Sequence, residues 1–101
     1  MCIVAMMHDD GKFEWDEDKA ALNAAKHGVT FEEACEGLAD LLRVEIFDDH
    51  HSLEEQRYQL LGLSARRLLF VVFTERNDRI RIVHARKANK TQERFYVEAN
   101  S

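Results

Sequence analysis

Between Glu17 and Leu42, apolar side chains recur every three or four positions, the period of a helix. From about Arg43 the period falls to two, that of a strand. A short alternation, Phe13-Glu14-Trp15, precedes the helical part and predicts a first strand. Asp16 then offers a helix N-cap, with Glu17 and Asp18 where acidic groups favour the positive end of the helix dipole. The alanine-rich run from Lys19 to Ala25 carries the helix forward, and Lys26 and His27 occupy its last turn. Gly28 supplies a left-handed C-cap. Thr30 and Glu33 form a capping box for a second helix, whose apolar stripe is Phe31, Ala34, Cys35, Leu38 and Leu41 or Leu42. The joint at Gly28-Val29 makes the two helices a hairpin.

Beyond Arg43 the alternation predicts strands at Val44–Phe47 and Arg57–Leu63, separated by the polar turn Asp48–Ser52. Ser64–Arg67 turns the chain again. Leu68–Phe73 is apolar on both faces, as a covered central strand should be. Arg79 to Ala85 pairs back through a turn at Asn77-Asp78, where both residues tolerate positive φ. Asn89 and Gln92 cap a final helix from about Lys90 to Glu98. The predicted order is β-α-α-β-β-β-β-α. It describes an α+β fold in which an antiparallel sheet packs against a helical hairpin.

Composition adds bounds. The chain has 101 residues and no proline, so residues 1–101 read as a single domain without a proline-rich linker, residues 1–11 forming a variable N-terminal extension. Cys2 and Cys35 match no zinc or redox spacing. The apolar run Cys2–Met7 is too short to span a bilayer and lacks the features of a signal peptide, so the expected location is cytoplasmic, away from membranes. The net charge of −5 argues against nucleic acid, but it hides an asymmetry. Residues 1–64 carry 5 basic against 15 acidic side chains, and residues 65–101 carry 9 against 4. Two faces with different partners would produce this pattern; so would two halves that neutralise each other across the fold.

The candidate chemistry is concentrated at the C-terminal end. In a regular strand, Ile80, Ile82, His84 and Arg86 share one face while Arg79, Arg81, Val83 and Ala85 share the other. Arg86 can hold a phosphate through two parallel N–H···O bonds, and His84 titrates near neutrality. Arg86 could equally pair with Glu75 or Glu93, leaving His84 a satisfied rim residue. Lys26 and His27 at a helix C-terminus complement the dipole. His50-His51 beside Asp48 and Asp49 make a weak metal reading, and neither a metal nor another cofactor is expected. No phosphate-binding glycine loop, nucleophile elbow or CxxC occurs. RNA recognition needs cations and flat groups. Arg57, Arg66, Arg67, Arg76, Arg79, Arg81, Arg86, Lys87, Lys90 and Arg94 offer the first; Tyr58, Phe95 and Tyr96 offer the second. The 2′-OH of RNA can itself attack the adjacent phosphate. Cleavage then needs only a base, an acid and a positive group, roles that His84, Tyr96, Glu93 or Glu75, and Arg86 cover chemically.

Several motifs, taken in order, resemble one family. They are Phe13-Glu14-Trp15-Asp16, Asn23-x-x-Lys26-His27-Gly28-Val29-x-Phe31-Glu32-Glu33-Ala34, Asp48-Asp49-x-His51-Ser52 and Glu55-x-Arg57-Tyr58. Gly62, Thr74-Glu75-Arg76 and Arg79-Ile80-Arg81-Ile82-Val83-x-Ala85-Arg86-Lys87-Ala88 follow, leading to Glu93 and Tyr96. This series, over about residues 12 to 98, closely resembles the BrnT toxins. The resemblance implies a RelE-like fold and a type II toxin whose ribonuclease activity arrests translation. It also implies neutralisation by a BrnA-like ribbon-helix-helix antitoxin, with operator DNA reached only through that partner. Arg79, Arg81, Arg86, Glu93 and Tyr96 fall in its motif-rich C-terminal region, and Lys26 and His27 in its N-terminal one. His84 stands where the resemblance implies a small residue, often serine. The competing reading is a non-catalytic toxin that serves only as a protein-binding co-repressor.

Overall fold

The computed structural model describes residues 7–9, 11–48 and 57–101. His50 and His51, the rest of the polar turn after Asp48, Glu55 and Cys2 lie outside the described residues. The elements are β1 (Met7–Asp9), β2 (Phe13–Asp16), α1 (Glu17–His27), α2 (Phe31–Leu38), β3 (Val44–Asp48), β4 (Arg57–Leu63), β5 (Leu68–Arg76), β6 (Arg79–Lys87) and α3 (Lys90–Ala99). The strands form one six-stranded sheet in the order β1-β2-β6-β5-β4-β3. The α+β order read from the sequence is therefore present, with two differences. Met7–Asp9, expected as part of an extension, pairs antiparallel with β2 as an edge strand. The sheet is also mixed rather than wholly antiparallel, because β2 runs parallel to β6 at Phe13↔Ile80 and Glu14↔Arg81. A parallel neighbour requires a long crossover. Here the helical hairpin and the β3–β4–β5 meander supply it, returning the chain from the far edge of the sheet.

Local chemistry sets the helix ends. The Asp16 side chain accepts the N–H groups of Asp18 and Lys19, and Gly28 closes α1 at φ 71°, in the left-handed region. Thr30 caps α2 by accepting the Glu33 N–H at 3.0 Å. The return bond of a full capping box is replaced, since the Glu33 carboxylate binds Arg67. The full box forms at α3, where Asn89 and Gln92 cap each other. Helix α2 ends at Leu38, earlier than its apolar stripe suggested, and leaves Leu41 92% exposed.

Two cores sandwich the sheet. Residues Leu69, Val71 and Phe73 of β5 face α1 and α2, packing with Trp15, Val29, Phe31 and Ala34. Phe70 and Leu68 face the other way, toward Tyr96 of α3, Leu61 and Ala88. β5 is thus covered on both sides, as its uninterrupted apolar run required. Helix α2 reaches the sheet at a glycine pair. A Cβ on Gly62 would lie 2.1 Å from the carbonyl oxygen of Gly37, so the two backbones can touch only without it. Among the described residues no helix is long and apolar enough to cross a membrane.

Candidate functional site

A bulge in β6 decides which way its side chains point. Strands β5 and β6 keep register from Arg76↔Arg79 to Phe73↔Ile82, and again from Val72↔His84 to Leu69↔Lys87. Val83 is the extra residue between them. An extra residue on one strand reverses the alternation beyond it. The expected row Ile80-Ile82-His84-Arg86 is accordingly broken: Ala85, not His84, continues the buried row of Ile80 and Ile82 against the helices. His84 and Arg86 are turned out of that core.

Among the described residues no strand pairs with β6 beyond Arg81 on its β2 side, and α1 lies against that edge. Asn23, buried in α1, pairs with the backbone of Ala85 as a strand would. Its Nδ2 donates to the Ala85 carbonyl at 2.8 Å, and its Oδ1 accepts the Ala85 N–H at 3.2 Å. The same Nδ2 donates to the Val29 carbonyl at 2.9 Å. One turn further along α1, the His27 ring meets the His84 ring edge to face, with centroids 4.7 Å apart. A cleft of about 220 Å³ opens beside the pair, lined by Lys19, Leu22, Lys26, His27, Val83 and His84. Burial, together with the charges of His27, Arg86 and Lys26, lowers the His84 pKa below its ordinary 6.5. At neutral pH this imidazole is therefore a free base with cations around it.

Arg86 stands two residues beyond His84. Its guanidinium lies 4.4 Å over the Phe70 ring, and Nη1 donates to the Lys87 carbonyl and to Gln92 Oε1. These partners are neutral and orient the group; among the described residues no carboxylate, Glu75 and Glu93 included, is paired with Arg86. The other β6 arginines are neutralised. Arg79 Nε is 2.7 Å from Asp9, which fastens β1, and Arg81 Nη1 is 3.1 Å from Glu14 of β2. At about 3.3 Å of rise per residue, Arg79 sits on the order of 20 Å from Arg86.

The remaining candidates are dispersed. Lys87, Lys90 and Arg94 are exposed where β6 passes into α3. Arg76 lies by the hairpin tip, with Arg79 opposite, and Arg57 opens β4 opposite Asp48. Glu93 is an exposed acidic residue in the first turn of α3, a place the helix dipole favours in any case. Tyr96 is placed differently from its expected role. It is 7% exposed within the second core, its hydroxyl donates to Asp40 Oδ2 at 2.6 Å, and its pKa is pushed up to about 12 by burial and that bond. A phenol so held is a poor proton carrier near neutrality. Of the proposed stacking groups, Tyr58 already stacks on Phe73 with centroids at 5.4 Å, and only Phe95 is substantially exposed.

Two polar centres went unread in the sequence. Glu33 takes a two-pronged bond from Arg67, at 3.0 and 2.9 Å, and a third from the Ser64 hydroxyl. Arg67, counted among the cations available to RNA, is thus spent on the fold, and its Nη2 also donates to the Gly28 carbonyl. The Arg67 bonds, against the opposing effect of burial, hold the Glu33 carboxyl below its ordinary range. Asp40 accepts N–H bonds from Leu42 and Leu63 as well as the Tyr96 hydroxyl. Both acids sit where a helix pattern gives no hint of a distant partner. Among the described residues, no group of three or more His, Cys, Asp or Glu side chains could hold a metal ion.

The cleft thus brings the imidazoles of His27 and His84 together with the side chains of Lys19 and Lys26 at the edge of β6. The comparison with known families is specific: the family described as "Ribonuclease toxin, BrnT, of type II toxin-antitoxin system" matches residues 15–92, and the chain belongs to it. The matched span contains every residue of the cleft. A search of the curated proteins returns no match.

Proposed function

We propose that the cleft between α1 and β6 is the centre of a metal-independent endoribonuclease that inhibits translation. The observation that carries this reading is the convergence of Lys26, His27 and His84, three residues from two separate elements, with Arg86 close enough to influence His84. Membership of a ribonuclease toxin family supports the choice of RNA as substrate. The scissile phosphate enters beside Lys26, and Arg86 approaches a phosphate oxygen with its free guanidinium edge. His84 removes the 2′-OH proton, and the 2′-oxygen attacks phosphorus. Positive charge from Lys26 and Arg86 stabilises the phosphorane. The P–O5′ bond breaks, His27 protonates the leaving 5′-oxygen, and a 2′,3′-cyclic phosphate remains. General acid–base catalysis of this kind contributes roughly 10²–10⁴-fold in rate.

Lys87, Lys90 and Arg94 extend the cationic surface for the flanking RNA backbone, with the more distant Arg57 and Arg76 as weaker contributors. A BrnA-like ribbon-helix-helix antitoxin neutralises the toxin in the cytoplasm and carries the complex to operator DNA. The acidic first half of the chain suits a basic segment of that partner. A RelE-like relationship fits the order of helices and the central meander.

Inducible expression tests the reading. Wild-type protein should arrest growth with RNA fragmentation, and His27→Ala or Arg86→Ala should accumulate harmlessly in folded form. Arrest without RNA cleavage, or full toxicity in both variants, would reject it.

A further inference from the structure

We infer that Asn23 is the positioning residue of this cleft: its side-chain amide pairs with the β6 backbone as a neighbouring strand would, holding α1 so that His27 faces His84. The inference rests on the cleft being the reactive centre, but its geometry is independent of that. β2 pairs with β6 at Ile80 and Arg81, and among the described residues no strand meets the edge carrying Ala85, whose N–H and C=O need another partner. A primary amide has the one donor edge and one acceptor edge needed to satisfy both the N–H and the C=O of a single strand residue. Asn23 uses them on Ala85, the residue between His84 and Arg86, at 3.2 and 2.8 Å. Its second Nδ2 hydrogen reaches Val29 at 2.9 Å, fixing the joint that follows α1.

The lever is short. His27 is four residues after Asn23, directly one turn along the same face of α1. The contact partner, His84, is the chain neighbour of Ala85. A single clamp therefore joins the two backbones at points adjacent to both rings, and the 4.7 Å ring separation depends on it. The bulge at Val83 makes the clamp necessary, because it turns His84 out of the helix-facing row while Ala85 remains within it. No aspartate can substitute. A carboxylate accepts the Ala85 N–H but repels the Ala85 and Val29 carbonyls that the amide now satisfies.

His84 is faced by His27 and Lys26 from α1 and by Arg86 on its own strand, with Lys19 also lining the cleft. Loosening α1 removes the first two from its surroundings and exposes the ring to water. Both changes move its titration midpoint back up toward the ordinary histidine value.

The test is an NMR titration of the His27 and His84 ring carbon-bound protons in the full chain, for wild type and Asn23→Ala, with Ala21→Ser, exposed on the same helix and outside the cleft lining, as a control. Hydrogen exchange of the Ala85 amide in wild type is followed alongside. In wild type the Ala85 amide should exchange at least 100-fold more slowly than an open strand edge. Asn23→Ala should raise the His84 midpoint and lower RNA cleavage tenfold or more, whereas Ala21→Ser should leave the midpoint in place. An unshifted midpoint in folded Asn23→Ala would overturn the inference. Should that variant fail to fold, rapid exchange of Ala85 in wild type would overturn it instead, and slow exchange would support it. A shifted midpoint in a protein that cleaves no RNA would leave the clamp standing and reject the nuclease reading. Cleavage by wild type with both Asn23 measurements unchanged would do the reverse.

Discussion

Tyr96→Phe removes one oxygen from the interior and separates a structural tyrosine from a catalytic one. The hydroxyl donates to Asp40 Oδ2 at 2.6 Å, a short bond to an ionised acceptor. Such bonds contribute net about 1.5–3 kcal/mol, and the Leu42 and Leu63 N–H groups remain on Asp40 after the change. The lower part of the range applies, about 1.5–2 kcal/mol, which for a domain of this size lowers Tm by roughly 6–16 °C. The dependence on pH has a definite sign. Burial alone would raise the Asp40 pKa, but the Tyr96 hydroxyl and the two N–H groups outweigh it and hold the carboxyl below its ordinary 3.8. The stability this supplies is complete above that ordinary value and is lost as pH falls through the folded one. The Tyr96 phenol is shifted the other way, to about 12, so its share is complete below the ordinary 10.0 and is lost as pH rises through about 12. The difference between wild type and variant should therefore be flat from about pH 5 to 9 and shrink at both ends. Urea melts read by circular dichroism across this range, beside RNA cleavage at pH 7, measure both quantities. Unchanged stability with abolished cleavage would refute the structural assignment.

Other consequences can be checked in the same way. Gly62→Ala sets a methyl 2.1 Å from the Gly37 carbonyl and should cost about 2–4 kcal/mol in urea unfolding. Glu33→Gln strips the charge from a carboxylate that is only 9% exposed and leaves Arg67 poorly paired, costing about 2–3 kcal/mol. Because the Glu33 pKa is lowered in the fold, that loss is full above its ordinary 4.5 and fades as pH falls through the folded value. His84→Ser should reduce cleavage roughly 10²–10⁴-fold. The acid limb of the wild-type rate profile should have its midpoint below 6.5, as the lowered His84 pKa requires. A midpoint at or above 6.5, or full activity in His84→Ser, would remove it as the base.

What could be read from the sequence was what neighbours along the chain decide. Asp16, Gly28, Thr30 and Asn89 each act on backbone within four residues, and each caps the helix expected of it. Asn77 and Asp78 take positive φ, 54° and 65°, in the tight turn their side chains permit. The failures lie where distant backbone intervenes. Val83 has nothing in its side chain to announce a bulge, yet that bulge exchanges His84 and Ala85 between faces. Leu41 and Leu42 continue a helical stripe on paper, but Asp40 turns the chain by accepting the Leu42 and Leu63 N–H groups. For the candidate site, Arg86, His84, Lys26 and His27 were each identifiable by residue type and position. The meeting of Lys26, His27 and His84 in one cleft was not, since it joins α1 to β6 from distant parts of the sequence. Arg67, Arg79 and Arg81 illustrate the converse: a cation count cannot tell which charges a folded chain has already neutralised.

If the cleft is the reactive centre, RNA is cut through the substrate's own 2′-OH. Purified toxin mixed with an RNA and with its fully 2′-O-methylated copy, each in excess chelator, tests it most directly. Fragments ending in 2′,3′-cyclic phosphate should form from the first and none from the second, with the first reaction lost in Arg86→Ala. Cleavage of the methylated strand, or an unmodified strand left intact once the chelator is added, would contradict it.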